Sequence, residues 1–223
     1  MIKEDFHCDC CIHNDDYDDV TPDGMQQLES QAIYQTLLNK ALTCQPDFDD
    51  KLSLSREYIE KGYKLLLLKD FTKIPHHVHP NGFKNATGDI DEFTELLMKY
   101  PTANIGIRTG KESGITVFDF DDLDNNDRDL KEKGLRRPDS TTFTTPHGLH
   151  VLMEYKDDIP TKVNWLNKLD IKNDGGYIVA PPSLVVCDGN KHENKEPCMD
   201  WDYDVLDTPP LCKSLDEWRI QWQ

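Results

Sequence analysis

The sequence has no run of 18 consecutive apolar residues, so it contains no candidate transmembrane helix. Its first residues, MIKEDFHCDCC, include no apolar segment of the kind that a secretory signal peptide needs. We therefore expect a cytoplasmic protein with no membrane partner. The seven cysteines are an odd number at irregular spacing, which argues against a disulfide framework and favours reduced or metal-bound thiols.

Positive charge is also scarce, with 25 Lys and Arg against 42 Asp and Glu and a net charge of −17. Such an acidic chain is not typical of a protein that binds nucleic acid over its whole surface. A local site could still bind a nucleotide or DNA if metal ions neutralised its carboxylates. The imbalance is strongest in residues 1–50, which hold 12 acidic residues and 2 lysines.

The 223 residues, of which 37% are hydrophobic, are enough for one domain with an appendage. We predict an acidic N-terminal extension (1–50) with one helix (25–42), a main domain (51–215) and a C-terminal tail (216–223), with a linker at 44–51. Helices are predicted at 53–62 and 90–101, and strands at 63–69, 103–110, 114–121, within 141–155 and within 169–183. This order, without an internal repeat, predicts an α+β fold.

The segment ITVFDFDD, residues 115–122, places carboxylates at the end of an apolar strand, where burial of charge is costly. In a strand, residues two apart share a face, so Asp119 and Asp121 point the same way. Two carboxylates so close repel each other unless a cation lies between them or one is protonated. Mg²⁺ and Mn²⁺ prefer such oxygen ligands and keep positions open for phosphate. The alternative is a polar strand end followed by a solvated acidic loop.

Two familiar ligand loops are excluded by spacing. A calcium-binding EF-hand loop starting at Asp122 would need Gly and Glu where Asp127 and Lys133 stand. The segment GKESG does not match a Walker phosphate loop, because its lysine follows the first glycine directly. Gly110 and Gly114 are therefore interpreted as turn residues.

Two later segments carry further candidates. In TPHGLHVLMEY, His150 begins an apolar strand after a Pro-Gly break, a position where a lone histidine is more often structural. In LDIKNDGGYIVAPPS, Asp170 lies in a strand, and Lys172 shares its face. Each of these signals is weak when taken alone.

Taken together and in this order, four segments resemble the primase–polymerase domain of the archaeo-eukaryotic primase superfamily, as found in plasmid, phage and mobile-element replication proteins. They are YIEKGYKLLLLKDFTKIP, with its Lys-x-Pro ending, ANIGIRTGKESGITVFDFD, with its Asp-x-Asp ending, TTPHGLHVLMEY and LDIKNDGGYIVAPPSL. The resemblance runs from about Ser53 to about Leu215. It implies a catalytic core with an RRM-like antiparallel sheet flanked by helices.

The resemblance also implies a metal-dependent DNA primase or polymerase that uses a two-metal mechanism with Mg²⁺ or Mn²⁺. Asp119 and Asp121 match the metal-binding pair of the family, and Asp170 matches its third catalytic carboxylate. The implied partners are a single-stranded DNA template and an NTP or dNTP.

The same resemblance implies a set of nucleotide-binding residues. His150 matches the histidine that contacts the phosphates of the incoming nucleotide. Lys172 stands where arginine is frequent, and a basic phosphate contact is expected there. His147 stands where serine is usual, which puts the usual hydroxyl contact in doubt. Ser183 and the Gly175-Gly176 turn are expected to shape the pocket.

Two sets of cysteine and histidine residues are candidate zinc ligands, although neither has the common paired spacing. The first set is His7, Cys8, Cys10, Cys11 and His13, with a flexible thiol cluster as the alternative, and the second is Cys187, His192, Cys198 and Cys212. The acidic extension could cover the site, mimic nucleic acid, bind a partner or act as a solubilising tail.

A second class of function stays open on the sequence alone. The domain could be a catalytically weak nucleotide- or DNA-binding module that acts with a replication or defence partner. The family often carries a helicase or helical accessory domain beyond this region, so the chain is expected to act alone or with a separate helicase.

Overall fold

The computed structural model describes residues 23–187, 198–203, 205–207 and 211, and its elements form an α+β fold. The helices of this part are α1 (Asp23–Thr43), α2 (Phe48–Glu60), α3 (Ile90–Lys99) and α4 (Leu123–Glu132), with a one-turn 3₁₀ helix at Gly82–Asn85. Its strands are β1 (Leu65–Leu68), β2 (Asn104–Arg108), β3 (Ile115–Phe120), β4 (Thr142–Thr145), β5 (Gly148–Glu154), β6 (Lys162–Leu166), β7 (Leu169–Lys172), β8 (Tyr177–Ala180), β9 (Ser183–Cys187), β10 (Cys198–Tyr203) and β11 (Val205–Asp207). The predicted fold class is confirmed.

All described strand pairs are antiparallel, and they form three sheets. The largest sheet has the order β11-β4-β5-β3-β7-β6, and a second sheet has the order β1-β2-β8. The third pairs β9 with β10. Because β3 lies between β5 and β7, side chains from three strands meet on each face of β3.

The six-stranded sheet is covered on both faces, which explains the uninterrupted apolar run at the start of β3. Ile115 and Val117 face the three-stranded sheet and share a buried cluster with α2 and α3. Phe118 and Phe120 face the other way and pack against Leu130 of α4. The end of β3 therefore lies between two layers of the fold.

Helix α2 begins earlier than predicted, and the predicted linker at 44–51 is wrong for residues 48–51. Asp47 caps the helix by accepting a hydrogen bond from the backbone N–H of Asp49 at 3.1 Å. The acidic side chains of Asp49 and Asp50 suit the positive end of the helix dipole. The polar composition of this first turn concealed it from a hydrophobic pattern.

Helix α1 packs against strand β9. Leu37, Leu38 and Ala41 share a cluster with Leu184 and Val186. The helix predicted at 25–42 corresponds to α1, and the extension and the other domain boundaries stay predictions. In the described part of the chain, no helix combines the length and the apolar composition that a membrane crossing requires.

Lys51 of α2 is fully buried and joins three segments of the chain. Its ammonium group donates hydrogen bonds to Gln45 Oε1 at 3.0 Å, to the carbonyl of Pro101 at 2.9 Å and to the carbonyl of Ala103 at 3.1 Å. Burial lowers the pKa of Lys51 from 10.5 to about 8, against a smaller opposing effect of Asp70.

We expect the free energy of unfolding of the wild type to rise by roughly 2 kcal/mol more than that of Lys51→Met between about pH 8 and pH 10. In this range the unfolded chain keeps a proton on Lys51 that the folded chain has lost, so stability rises with pH. Urea unfolding at several pH values measures the difference. Lys61→Met, at the exposed C-cap of the same helix, should follow the wild type. Parallel curves for wild type and Lys51→Met would contradict the prediction.

Candidate active site

Asp119 lies at the centre of a row of three polar side chains across the six-stranded sheet. It is directly opposite His150 of β5 on one side and Asp170 of β7 on the other. Residues in register on neighbouring antiparallel strands project from the same face. The backbone pairing therefore brings together three residues that are 31 and 51 positions apart in the sequence.

Both carboxylate oxygens of Asp119 face basic side chains. His150 Nε2 lies 3.2 Å from Asp119 Oδ1, and Lys172 Nζ lies 3.6 Å from Asp119 Oδ2. Lys172 also donates a hydrogen bond of 2.6 Å to Asp170 Oδ2. Lys172 thus bridges the two carboxylates, while the side chain of Asp119 is only 15% exposed.

Asp121 follows the last residue of β3 and lies at the rim of the same site. Its backbone N–H donates to the carbonyl of Lys168 at 2.9 Å, which continues the β3–β7 pairing past the end of the strands. Unlike Asp119, Asp121 is exposed to solvent. The predicted Asp-x-Asp pair therefore consists of one shielded and one accessible carboxylate.

The environments of these two carboxylates shift their pKa values in opposite directions. Burial alone would raise the pKa of Asp119, but the neighbouring His150 and Lys172 hold it below its ordinary value. Partial loss of hydration raises the pKa of Asp121, and the negative charge of Asp119 raises it further. The second effect indicates that a cation placed between the pair would be stabilised by both.

The carboxylates open into a cleft of about 190 Å³ between the six-stranded sheet and strand β8. Its lining residues are Lys73, Asp119, Asp121, Thr145, His147, His150, Lys172, Tyr177, Ile178 and Val179. Three of these residues were not predicted from the sequence: Lys73, Thr145 and Tyr177. The Lys-x-Pro ending of the first family segment could have indicated Lys73. The Tyr177 hydroxyl donates a hydrogen bond of 2.8 Å to the carbonyl of Lys73.

Two predicted site residues stand apart from this lining. The Ser183 hydroxyl is buried and accepts a hydrogen bond of 3.0 Å from the backbone N–H of Ile105, so it joins β9 to β2. Asp170 accepts hydrogen bonds from Lys172 and from the backbone N–H of Asn164, the latter at 2.7 Å. Asn164 has a left-handed backbone with a φ of 50° at the β6 irregularity, which directs this N–H towards Asp170.

The donor set fits a hard divalent cation better than a soft one. Asp119 and Asp121 offer carboxylate oxygens beside an open cleft, and Mg²⁺ binds through one or two carboxylates plus water and phosphate. In the described residues no three His, Cys, Asp or Glu side chains are grouped as ligands. Phosphate and water would therefore have to complete the coordination of the cation. Asp170 could become a ligand only if it lost its contact with Lys172.

The candidate zinc ligands cannot be assembled from the described residues. The first set, His7, Cys8, Cys10, Cys11 and His13, lies outside them. In the second set, Cys187 of β9 and Cys198 of β10 are directly opposite each other in register. The remaining members, His192 and Cys212, lie outside the described residues.

The chain was compared with models of known protein families. The model of the family described as bifunctional DNA primase/polymerase, N-terminal, matches residues 55–211. This match includes every strand from β1 to β11 and all residues of the cleft. No curated protein matches the chain.

Proposed function

The chain belongs to the bifunctional DNA primase/polymerase family, and from this premise we propose that it is a metal-dependent nucleotidyltransferase. Family membership supports a primase or polymerase type of function. The observation that carries the finer proposal is the row formed by His150, Asp119 and Asp170, with Asp121 at the open rim. This row places the shielded carboxylate of Asp119 next to basic groups in a cleft that opens to solvent, with Asp170 beside the cleft.

We assign Asp119 and Asp121 as the metal-binding carboxylates and Asp170 as a third carboxylate that joins after Lys172 is displaced. When bound, two Mg²⁺ or Mn²⁺ ions would activate the attacking hydroxyl and stabilise the leaving pyrophosphate. The backbone N–H of Asn164 holds Asp170 in place when Lys172 is displaced, and His150 orients Asp119 through its Nε2 atom. The protein therefore contributes a rigid pair of carboxylates whose geometry is set by strand register.

The basic side chains of the cleft are suited to the triphosphate of an incoming nucleotide. Lys73, His147 and Lys172 line the cleft together with His150. Their positive charge would neutralise phosphate oxygens as negative charge develops in the transition state. Since Lys172 already contacts Asp119 and Asp170, a phosphate that attracts Lys172 would also release the two carboxylates for a cation.

The wider setting is also proposed. The substrates are a single-stranded DNA template and an NTP or dNTP. The setting is the replication of a mobile element, phage or plasmid in the cytoplasm, with a separate helicase as the partner. We keep residues 51–215 as the catalytic domain, with the acidic extension before it and the tail after it. Ser183 is proposed to support the pocket through the β2–β9 contact instead of touching the nucleotide.

Primer extension and de novo synthesis on single-stranded DNA test this proposal directly. We expect product with Mg²⁺ or Mn²⁺ and no product after chelation of the divalent ions, because the carboxylates alone cannot activate the hydroxyl. Separate reactions with NTPs and dNTPs identify the sugar that is accepted. Nucleotide binding without any product would favour the alternative, a binding module that acts with a partner.

A further inference from the structure

A basic groove lies beside the C-terminal half of α4, outside the cleft. This groove, named here the α4 groove, has a volume of about 740 Å³. Its lining residues are Asp127, Arg128, Lys131, Arg136, Arg137, Pro138 and Asp139. In a chain with a net charge of −17, three of the six arginines fall within residues 128–137. The lining of the groove holds four basic and two acidic residues, so its charge is opposite in sign to the overall charge of the protein.

A helix-ending turn that is anchored in the core builds one wall of the groove. Gly134, with a φ of 70°, donates its N–H to the carbonyl of Lys131, and Leu135 donates to the carbonyl of Leu130 at 2.8 Å. This is the Schellman arrangement, in which the chain reverses directly after the helix. Leu130 and Leu135 are both buried in the cluster beneath the sheet. The arginines that follow are therefore held close to the helix.

The cations of the groove are arranged on both of its sides. Arg128 and Lys131 are three residues apart and lie on the same face of α4. Arg137 makes two hydrogen bonds to Asp127, at 2.9 and 3.1 Å, which fix its guanidinium group and neutralise one of the two acidic residues of the lining. The lining keeps a net positive charge, with Arg136 next to this pair.

Strand β4 lies between the α4 groove and the cleft, which are on opposite faces of the six-stranded sheet. A smaller depression continues from Arg137 and Asp139 along Ser140 and Thr142. The other end of β4 is Thr145, which lines the cleft. From Ser140 to Thr145 an extended chain covers about 17 Å at roughly 3.3 Å per residue. A nucleic-acid strand that passes round the end of the sheet between the two sites therefore needs more than the roughly five nucleotides that span this distance at about 3.4 Å per stacked nucleotide.

We propose that the α4 groove binds the phosphate backbone of a single-stranded nucleic acid at a point outside the cleft. Lys and Arg side chains bind such backbones through charge, independently of sequence. Helix α4 and the turn after it line the groove, and a strand held there would reach the cleft by passing round the end of β4 at Thr145. The α4 groove would hold the template or product strand while the cleft is vacant. The protein would then retain the strand between steps of the proposed transfer activity.

Salt-dependent binding of an oligothymidylate of about 20 nucleotides tests this proposal, since single-strand sites cover roughly 4–16 nucleotides. The variant Arg128→Gln/Lys131→Gln/Arg136→Gln keeps the Arg137–Asp127 pair that supports the turn. We expect weaker binding and a slope of log K against log salt that is smaller by about 2, because each lost phosphate contact removes about 0.7. Fluorescence anisotropy without nucleotide or divalent ions measures both.

The matched control is Lys61→Gln/Lys84→Gln/Lys99→Gln, which removes the same charge from exposed lysines on other elements. A normal slope in this control, together with a reduced slope in the groove variant, supports the proposal. An equal loss of slope in both variants would show that overall charge causes the effect and would overturn the proposal. An unchanged slope in the groove variant, or a wild type that does not bind the oligothymidylate, would also overturn it. A far-ultraviolet spectrum and a melting curve confirm that each variant is folded.

The inference builds on the proposed function but can fail separately from it. Wild-type protein that extends primers while the groove variant keeps the full salt slope would overturn the groove and leave the transfer activity standing. If the groove variant loses the expected part of the salt slope but the wild-type chain makes no product, the proposed transfer activity is overturned and the groove proposal stands. Because the binding assay contains no divalent ions, its result does not depend on the carboxylates of the cleft.

Discussion

Replacing Asp119 and Asp121 together with asparagine is expected to abolish the proposed nucleotidyl transfer while the domain remains folded. We expect the rate of primer extension to fall at least about 1000-fold, because the variant loses both carboxylates that are proposed to bind the divalent ions, and those ions would stabilise the charge of the transition state. Asparagine has nearly the same shape, and its amide oxygen can still accept a hydrogen bond from His150. The fold is expected to survive because Asp121 is exposed and Asp119 opens onto the cleft.

A second pair of neighbouring carboxylates provides the control for this variant. Asp157→Asn/Asp158→Asn removes the same charge from two exposed residues after β5 and should leave extension unchanged. Binding of Mn²⁺, followed by electron paramagnetic resonance, should weaken in the Asp119/Asp121 variant alone. Full activity of that variant would reject the assignment of these carboxylates, even if the chain proved to be a polymerase.

Substituting Gly148 with alanine should damage the same site from the neighbouring strand. A β-carbon on Gly148 would overlap the carbonyl oxygen of Phe120 and lie 2.9 Å from its carbonyl carbon. Backbone atoms cannot move aside as a flexible side chain can, so β5 must shift away from the end of β3. We expect a loss of about 3 kcal/mol in the free energy of unfolding, at the upper end for overpacked sites.

The activity of Gly148→Ala should fall about 100-fold, since small displacements of reacting groups have effects of that size. The shift separates His150 from Asp119 and moves Asp121, which directly follows Phe120. Urea unfolding and primer extension measure the two losses. The control is Gly88→Ala, where the added carbon meets only the flexible end of the Lys64 side chain. Equal stability of the two variants would show that β5 accommodates the carbon.

The sequence predicted most about the site where the position of a side chain depends on a single strand. Alternation along β3 was enough to predict that Asp119 and Asp121 share a face, and the apolar run before them predicted the buried strand. The partners of Asp119 could not be predicted in the same way. His150 and Asp170 come from strands far along the chain, and no local pattern specifies register between distant strands. The family resemblance supplied these residues instead.

Other features escaped prediction because their stabilisation comes from polar groups. Helix α4 follows an acidic segment and has few apolar side chains, yet Asp122 caps it and Asn126 donates a hydrogen bond of 2.6 Å to the carbonyl of Asn167. Lys51 occupies a fully buried position that a hydrophobic pattern assigns to an apolar residue. In both cases, hydrogen bonds to specific carbonyls replace the apolar contacts that sequence patterns detect.

The central position of β3 also sets the order in which the site can assemble during folding. Asp119 meets His150 only after a segment of 31 residues has closed, and it meets Asp170 only after 51 residues have closed. Such non-local pairings form slowly, because the chain loses loop entropy before the contacts compensate for it. A chain emerging from the ribosome therefore has no complete site until β7 has been made and has paired with β3, so partly synthesised copies should be catalytically silent.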